Sequence, residues 1–267
     1  MAAATGSADI FSVKIWETPE WTDLHAHYES AMKETHLRDL MQDEDRCAAL
    51  ALETKGLFMD YSRQRVGVES MTRLFKVARA AKLEEKIAAM AAGEHINVTE
   101  DRAVMHMALR AAPEQTFVVD GSNVVPDVHE VLSRIDAFSR TVRQGSWKGA
   151  TGKALTHVVS IGIGGSYLGP EFVHEALRCE SSAAAAAAGR SLRFLANVDP
   201  VDVARALEGL DPATTLVVVV SKTFTTAETM LNARTLRSWL VSSLASADVS
   251  EAEVVSKHVV AVSAAVD

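Results

Sequence analysis

The sequence predicts an α/β protein built on a doubly wound parallel sheet in three α-β-α layers, incomplete at its C-terminal end and preceded by a mainly helical region. Three observations carry this. After residue 150, four short apolar runs begin at residues 157, 192, 216 and 258 and alternate with helical stretches. Near-continuous apolar strands separated by helices are the mark of a parallel sheet covered on both faces. Before residue 150 the apolar residues recur instead at helical spacing. Finally, two of the strand-to-helix junctions concentrate glycines and hydroxyl side chains.

In chain order, Leu74, Phe75, Ala78 and Ala81 share one helical face, as do Val131, Leu132, Ile135, Phe138 and Val142. Gly145 closes the second of these helices near Gln144. Two strand candidates interrupt this region: residues 57–61, after Gly56, and residues 116–119, before Asp120-Gly121. The sheet then reads as strands over residues 157–162, 192–196, 216–220 and 258–262, with helices over 170–178, 201–210 and 227–244. Right-handed crossovers bring the C-terminal ends of such strands to one edge, where ligands bind. Ser181-Ser182, six alanines, Gly189 and Arg190 read as a surface insertion. The predicted division is a helical region over 1–150 and a sheet domain over 151–267. Doubly wound sheets usually carry five or more strands, so a chain ending just past the fourth reads as part of a longer protein.

Composition narrows the function classes. Of 267 residues, 48% are hydrophobic and 23% charged, the balance of a soluble globular chain of one or two domains. No apolar run approaches the roughly 20 residues of a membrane span, and residues 1–16 lack a basic then apolar leader, so a soluble intracellular protein is expected. The net charge of −8 is spread along the chain with no basic stripe, which argues against nucleic acid as a partner. Small anions remain suitable ligands, because backbone N–H groups bind them whatever the net charge. Cys47 and Cys179 are distant and show no CxxC spacing, which predicts packing residues and neither a disulfide framework nor a zinc site. Asn97-Val98-Thr99 fits a glycosylation sequon that has no use in a chain that is not exported.

The chemistry concentrates in two loops. Gly162-Ile163-Gly164-Gly165-Ser166 leaves the first sheet strand and enters a helix. Glycines there let a ligand approach the backbone, and the helix start presents N–H groups with partial positive charge. The same glycines also suit a tight turn with no ligand. A dinucleotide fingerprint fails because Tyr167 stands where the third glycine belongs, and Asp199 beside Pro200 reads more simply as a turn or helix cap. A Walker motif fails because no Lys-Ser/Thr pair follows the glycines. The second loop, Ser221-Lys222-Thr223-Phe224-Thr225-Thr226, places four hydroxyls and one ammonium at a helix start. Thr225-Thr226-Ala227-Glu228 matches a capping box, so one hydroxyl has a structural use open to it. The remaining hydroxyls suit a phosphate dianion, whose several oxygens need donors.

These loops also carry a resemblance. Residues 161–170 and 221–226 together closely resemble the glucose-6-phosphate isomerase family. The likeness extends to residues 93–100, Arg102-Ala103-Val104, Ala108-Leu109-Arg110 and residues 147–153, covering roughly residues 20 to 263. It implies a sugar-isomerase (SIS) domain, the first of two in a cytoplasmic dimer. That dimer interconverts glucose 6-phosphate and fructose 6-phosphate in glycolysis and gluconeogenesis without a cofactor or metal. It further implies that Ser166, Ser221, Thr223, Thr225 and Thr226 hold the substrate phosphate, helped by backbone N–H groups of Gly165 and Lys222, with Lys222 as a possible charge partner. The family's catalytic glutamate, histidine and lysine come from segments beyond residue 267, so the 267 residues alone are expected to be inactive. His106, His129, His157, His174 and His258 fall in no matched catalytic motif and read as structural or surface residues. Departures from the family's common residues are Tyr167 for aspartate, Ala227 for glutamine, His95 for lysine and Asp101 for glycine. The competing reading is a non-catalytic SIS-type sugar-phosphate sensor.

Overall fold

The computed structural model of the chain describes residues 10–264. The first nine residues of the stretch read for a leader lie outside the described residues. The chain divides into two compact units, up to Val131 and from Leu132.

In the first unit, Thr18 caps α1 (Pro19–His27) by accepting from the Trp21 N–H, with Pro19 at the favoured first position. Two short helices follow, α2 (Leu37–Leu40) and α3 (Glu44–Ala49). Then come the antiparallel hairpin of β1 (Ala51–Thr54) and β2 (Leu57–Asp60) and the helices α4 (Val68–Ala80) and α5 (Leu83–Ala91). A small hairpin of β3 (Val118–Val119) and β4 (Ser122–Asn123) precedes α6 (Val125–Arg143), inside which the unit boundary falls.

Two polar devices organise this unit. His27 of α1 and Ser70 of α4, both buried, share a 2.8 Å hydrogen bond. Arg46 of α3 is 4% exposed and donates to four backbone carbonyls: Val66 (2.7 Å), Gln64 (2.7 Å), Ser62 (2.9 Å) and Leu40 (3.2 Å). A planar guanidinium suits this work, since one side chain supplies five donors in a fixed fork. On the surface, His95 bridges two loops, with Nδ1 2.9 Å from Asp101 and Nε2 3.1 Å from Asp120.

The second unit is the parallel sheet. Its strands are β5 (His157–Ile161), β6 (Ser191–Leu195), β7 (Thr215–Val220) and β8 (Val259–Val262), in the spatial order β6-β5-β7-β8. The connecting helices are α7 (Gly165–Leu177), α8 (Ser181–Ala186), α9 (Pro200–Leu207), α10 (Ala227–Leu244) and α11 (Glu251–His258). Side chains alternate across a strand. Thus Val159, Ile161, Val217 and Val219 pack on one face with Ala206 of α9, Leu236 and Leu240 of α10 and Val254 of α11. On the other face, Val158, Leu216, Val218 and Val260 meet Phe138 and Val142 of α6. Phe194 of β6 takes the edges of Tyr167 and His174 of α7. Helices cover both faces, as a doubly wound sheet requires.

One buried group joins three segments of this unit. His258 is fully buried: its Nδ1 donates to the Thr215 carbonyl (2.8 Å) and its Nε2 accepts from the Ala150 N–H (2.9 Å). Those partners fix a neutral ring with the proton on Nδ1. Gly149 makes room for it, since a Cβ there would lie 2.6 Å from the ring.

The four sheet strands lie within a residue of their predicted positions, and α10 has the predicted bounds. Helix α7 begins five residues before the predicted start, placing Pro170 inside it. There, in the second turn, it withholds one intrahelical bond, the one its N–H would have made to the Ser166 carbonyl. Residues 57–60 do form a strand, but the partner, Ala51–Thr54, carries no alternating pattern, and both strands are largely exposed. In α6, Val131, Leu132 and Ile135 are exposed, while Phe138 and Val142 alone of the predicted face reach the sheet core. The alanine run forms the exposed helix α8, which Glu180 caps by accepting from the Ala183 N–H. Cys179 is exposed, contrary to the packing role expected of it, whereas Cys47 is half-buried. Among the described residues no helix is long and apolar enough to cross a membrane.

Two outcomes are expected. The carboxylates of Asp101 and Asp120 on its two ring nitrogens raise the His95 pKa above the ordinary histidine value. Stability from this bridge is therefore fully present below about pH 6.5, the unfolded value, and is lost as pH rises through the folded one. Ring NMR should show His95 titrating above a free histidine, and His95→Gln should abolish any slowing of amide exchange in residues 94–102 at low pH. His258→Phe should lower stability by about 2–4 kcal/mol in urea unfolding, because it leaves a buried N–H and a buried C=O without partners.

Candidate functional site

The site is set by strand order. β5 and β7 pair in parallel, with Ile161 opposite Val219, so the loops after them leave the same edge one strand spacing apart, about 4.8 Å. β8 flanks β7 on its other side, with Val262 opposite Val220.

The first loop turns sharply because its glycines permit it. At Gly164 the backbone has φ 59° and ψ −124°, a conformation that only glycine adopts readily. At Gly162 a Cβ would lie 2.7 Å from the Ser166 carbonyl oxygen, so the first turn of α7 can close over it only if no side chain is present. Above Gly164 and Gly165 there is open space, with nothing within 4 Å of an added Cβ. Gly165 is the first residue of α7, so its N–H has no intrahelical acceptor. Ser166 is half-buried in the same turn.

The second loop is held by its own hydroxyls. Ser221 is 3% exposed, and its Oγ accepts from the Phe224 N–H at 3.1 Å. Phe224 takes up a left-handed backbone conformation (φ 54°) and packs its ring against the sheet core. That anchor leaves Lys222, Thr223, Thr225 and Thr226 exposed around it. Thr223 and Thr225 share a hydroxyl–hydroxyl hydrogen bond of 2.6 Å. The N-cap of α10 is Thr226, and it makes no side-chain cap bond. The capping box is therefore not formed, and capping does not occupy the Thr225 hydroxyl. Behind the loop, the Lys222 carbonyl accepts from Ser263 Oγ (3.0 Å) and from the Ala264 N–H (3.2 Å). Ser263 escaped notice in the sequence because nothing there shows that β8 lies beside β7.

Other expected features fall into place around these loops. Asp199 caps α9, accepting from the Val201 N–H at 2.8 Å, and so has the structural role preferred for it. Tyr167 does not reach over the phosphate-type loop: its ring packs on Phe194 and its hydroxyl bonds Glu171, one turn along α7. That bond, with burial and the nearby carboxylate charge, pushes the phenol pKa up to about 12, so it stays neutral. His157 bonds Ser191 across β5 and β6, and His129 bonds the Ala111 carbonyl. A mostly apolar cavity of about 300 Å³ lies in the first unit, lined by Trp21, Leu24, Tyr28, Met32 and Leu74 with Arg65, His25 and Ser70 among them.

The family model described as phosphoglucose isomerase matches residues 60–267. Glucose-6-phosphate isomerase, cytosolic B, of Oryza sativa subsp. japonica is 60% identical over 252 residues, covering 94% of this chain and 43% of the relative. The cytosolic glucose-6-phosphate isomerase of Arabidopsis thaliana is 57% identical over 249 residues, covering 93% and 43%. A crystal structure of a glucose-6-phosphate isomerase from Chlamydia trachomatis superposes with a TM-score of 0.67 at 24% identity, over 93% of this chain and 45% of that one, which is a likeness of fold. The chain thus spans less than half the length of the curated relatives it matches. With most of its length matched by that model, the chain belongs to the phosphoglucose isomerase family.

Proposed function

We propose that this chain supplies the phosphate-gripping part of an isomerase that interconverts glucose 6-phosphate and fructose 6-phosphate. The observation that carries the reading is the convergence of two donor-rich loops, residues 162–166 and 221–226, at the same edge of the adjacent parallel strands β5 and β7. Ser166, Ser221, Thr223, Thr225 and Thr226 are assigned to the phosphate oxygens, with the N–H groups of Gly165 and Lys222. Lys222 is exposed, and its ammonium adds positive charge at the mouth of the site.

Moving a carbonyl between C1 and C2 needs an acid to open the ring, a base to carry a proton between the two carbons, and stabilisation of an enediol. A fixed phosphate grip contributes by holding those carbons in register with the base, so that binding energy far from the reacting atoms lowers the barrier. The resemblance assigns the base and the ring-opening groups to the part of the relatives that this chain does not span. The cytosolic relatives and the family resemblance support a cytoplasmic homodimer as the working form of the whole protein.

Two experiments test the reading. In a coupled assay the purified 267-residue chain should show no turnover of either sugar phosphate; rates near those of a complete enzyme would overturn the division of labour. In the full-length protein, Ser221→Ala and Thr226→Ala should each raise KM about ten- to a hundredfold with a smaller change in kcat, the effect of one lost charge-assisted hydrogen bond. An unchanged KM in both would remove the phosphate assignment.

A further inference from the structure

The segment after β8 does more than end a strand. The β7–β8 ladder ends with the Ser221 N–H on the Val262 carbonyl, and past it the Ala264 N–H reaches the Lys222 carbonyl, one residue beyond the acceptor a regular ladder would use. Ser263 adds its hydroxyl to the same Lys222 oxygen at 3.0 Å, so both lone pairs of that carbonyl are engaged from the β8 side.

The geometry of the peptide carries this contact into the loop. No peptide bond among the described residues is cis, and in a planar trans peptide the C=O of one residue and the N–H of the next point in opposite directions. Drawing the Lys222 carbonyl towards β8 therefore turns the Thr223 N–H the other way. In the order β6-β5-β7-β8, the other way is towards β5 and the Gly162–Ser166 turn. Among the described residues nothing accepts from the Thr223 N–H. One residue on, the Phe224 N–H is already committed to Ser221 Oγ, so the Thr223 N–H is an uncommitted donor beside it.

We propose that Ser263 is a positioning residue for the anion site: its hydroxyl holds the Lys222 carbonyl and thereby aims the Thr223 N–H at the phosphate from the β7 side. The inference rests on the reading of residues 221–226 as a phosphate loop. Ser263 touches no ligand itself, and its effect passes through one rigid peptide plane. Threonine keeps the hydroxyl and can replace it, whereas alanine leaves the carbonyl with the Ala264 N–H and frees the plane to tilt.

The test is an amide-detected NMR titration of the 15N-labelled chain with glucose 6-phosphate, run on wild type, Ser263→Ala, Ser263→Thr and Ser166→Ala, each with a thermal melt. Ser263→Ala should weaken binding about fivefold, the worth of one ordinary hydrogen bond, and shrink the ligand-induced shift of the Thr223 amide. Its melting temperature should stay within about 2 °C of wild type, and Ser263→Thr should restore both readouts. If Ser166→Ala weakens binding while Ser263→Ala matches wild type in affinity and in the Thr223 signal, the positioning role is overturned and the phosphate loop stands. A loss in Ser263→Ala that Ser263→Thr does not repair also counts against it. If wild type shows no saturable shift in residues 162–166 and 221–226, the phosphate reading fails, and the role of Ser263 falls with it.

Discussion

The candidate site depends on the pairing of β7 with β5 on one side and β8 on the other. All its donors sit on loops, and loops hold position only as well as the strands that launch them. β7 is suited to that task because it is buried on both faces: Val217 and Val219 pack on one core, Leu216 and Val218 on the other. Burying such a side chain stabilises the fold by roughly 1.5–3 kcal/mol. A slip of one residue would exchange the two faces, so the register is strongly specified. Fixing the register of β7 fixes where Ser221 emerges relative to Gly162 and Ser263.

Within that frame the loops divide the work between anchoring and presentation. Phe224 packs on the core, and Ser221 accepts the Phe224 N–H while its own hydroxyl proton is left to donate. The threonines stand outward. The chain as a whole carries −8, yet this arrangement suits an anion. Local dipoles account for that: N–H groups at a helix start and hydroxyls within hydrogen-bond reach act over a few ångströms, whereas exposed charges farther off are damped by solvent and salt.

What the sequence revealed and what it concealed follow from the range of the interactions. The sheet strands were legible because a doubly buried strand must be a continuous apolar run, and residues 216–220 are such a run. Both donor loops were legible because glycine and hydroxyl clusters at a strand end have few structural uses. The start of α7 was not, because Gly164 and Gly165 look like turn residues and Pro170 like a first helical position. The contribution of Ala51–Thr54 to a hairpin was hidden by its exposure, which removes the alternation that would mark it. The idle capping box that starts at Thr225 shows a local motif overruled by its surroundings: the helix begins one residue later, after Phe224 has packed on the core. Ser263 belongs to the least legible class, a contact between segments some forty residues apart that only strand order brings together.

Arg46 has a consequence of its own. Besides a long contact to Cys47 Sγ (3.9 Å), it donates to four backbone carbonyls, and a peptide carbonyl neither gains nor loses a proton in the accessible pH range. A buried cation neutralised by a carboxylate would be stranded on acidification, whereas this one keeps every bond it has. Acidification therefore removes no carboxylate from the bonds that Arg46 makes to residues 62–66.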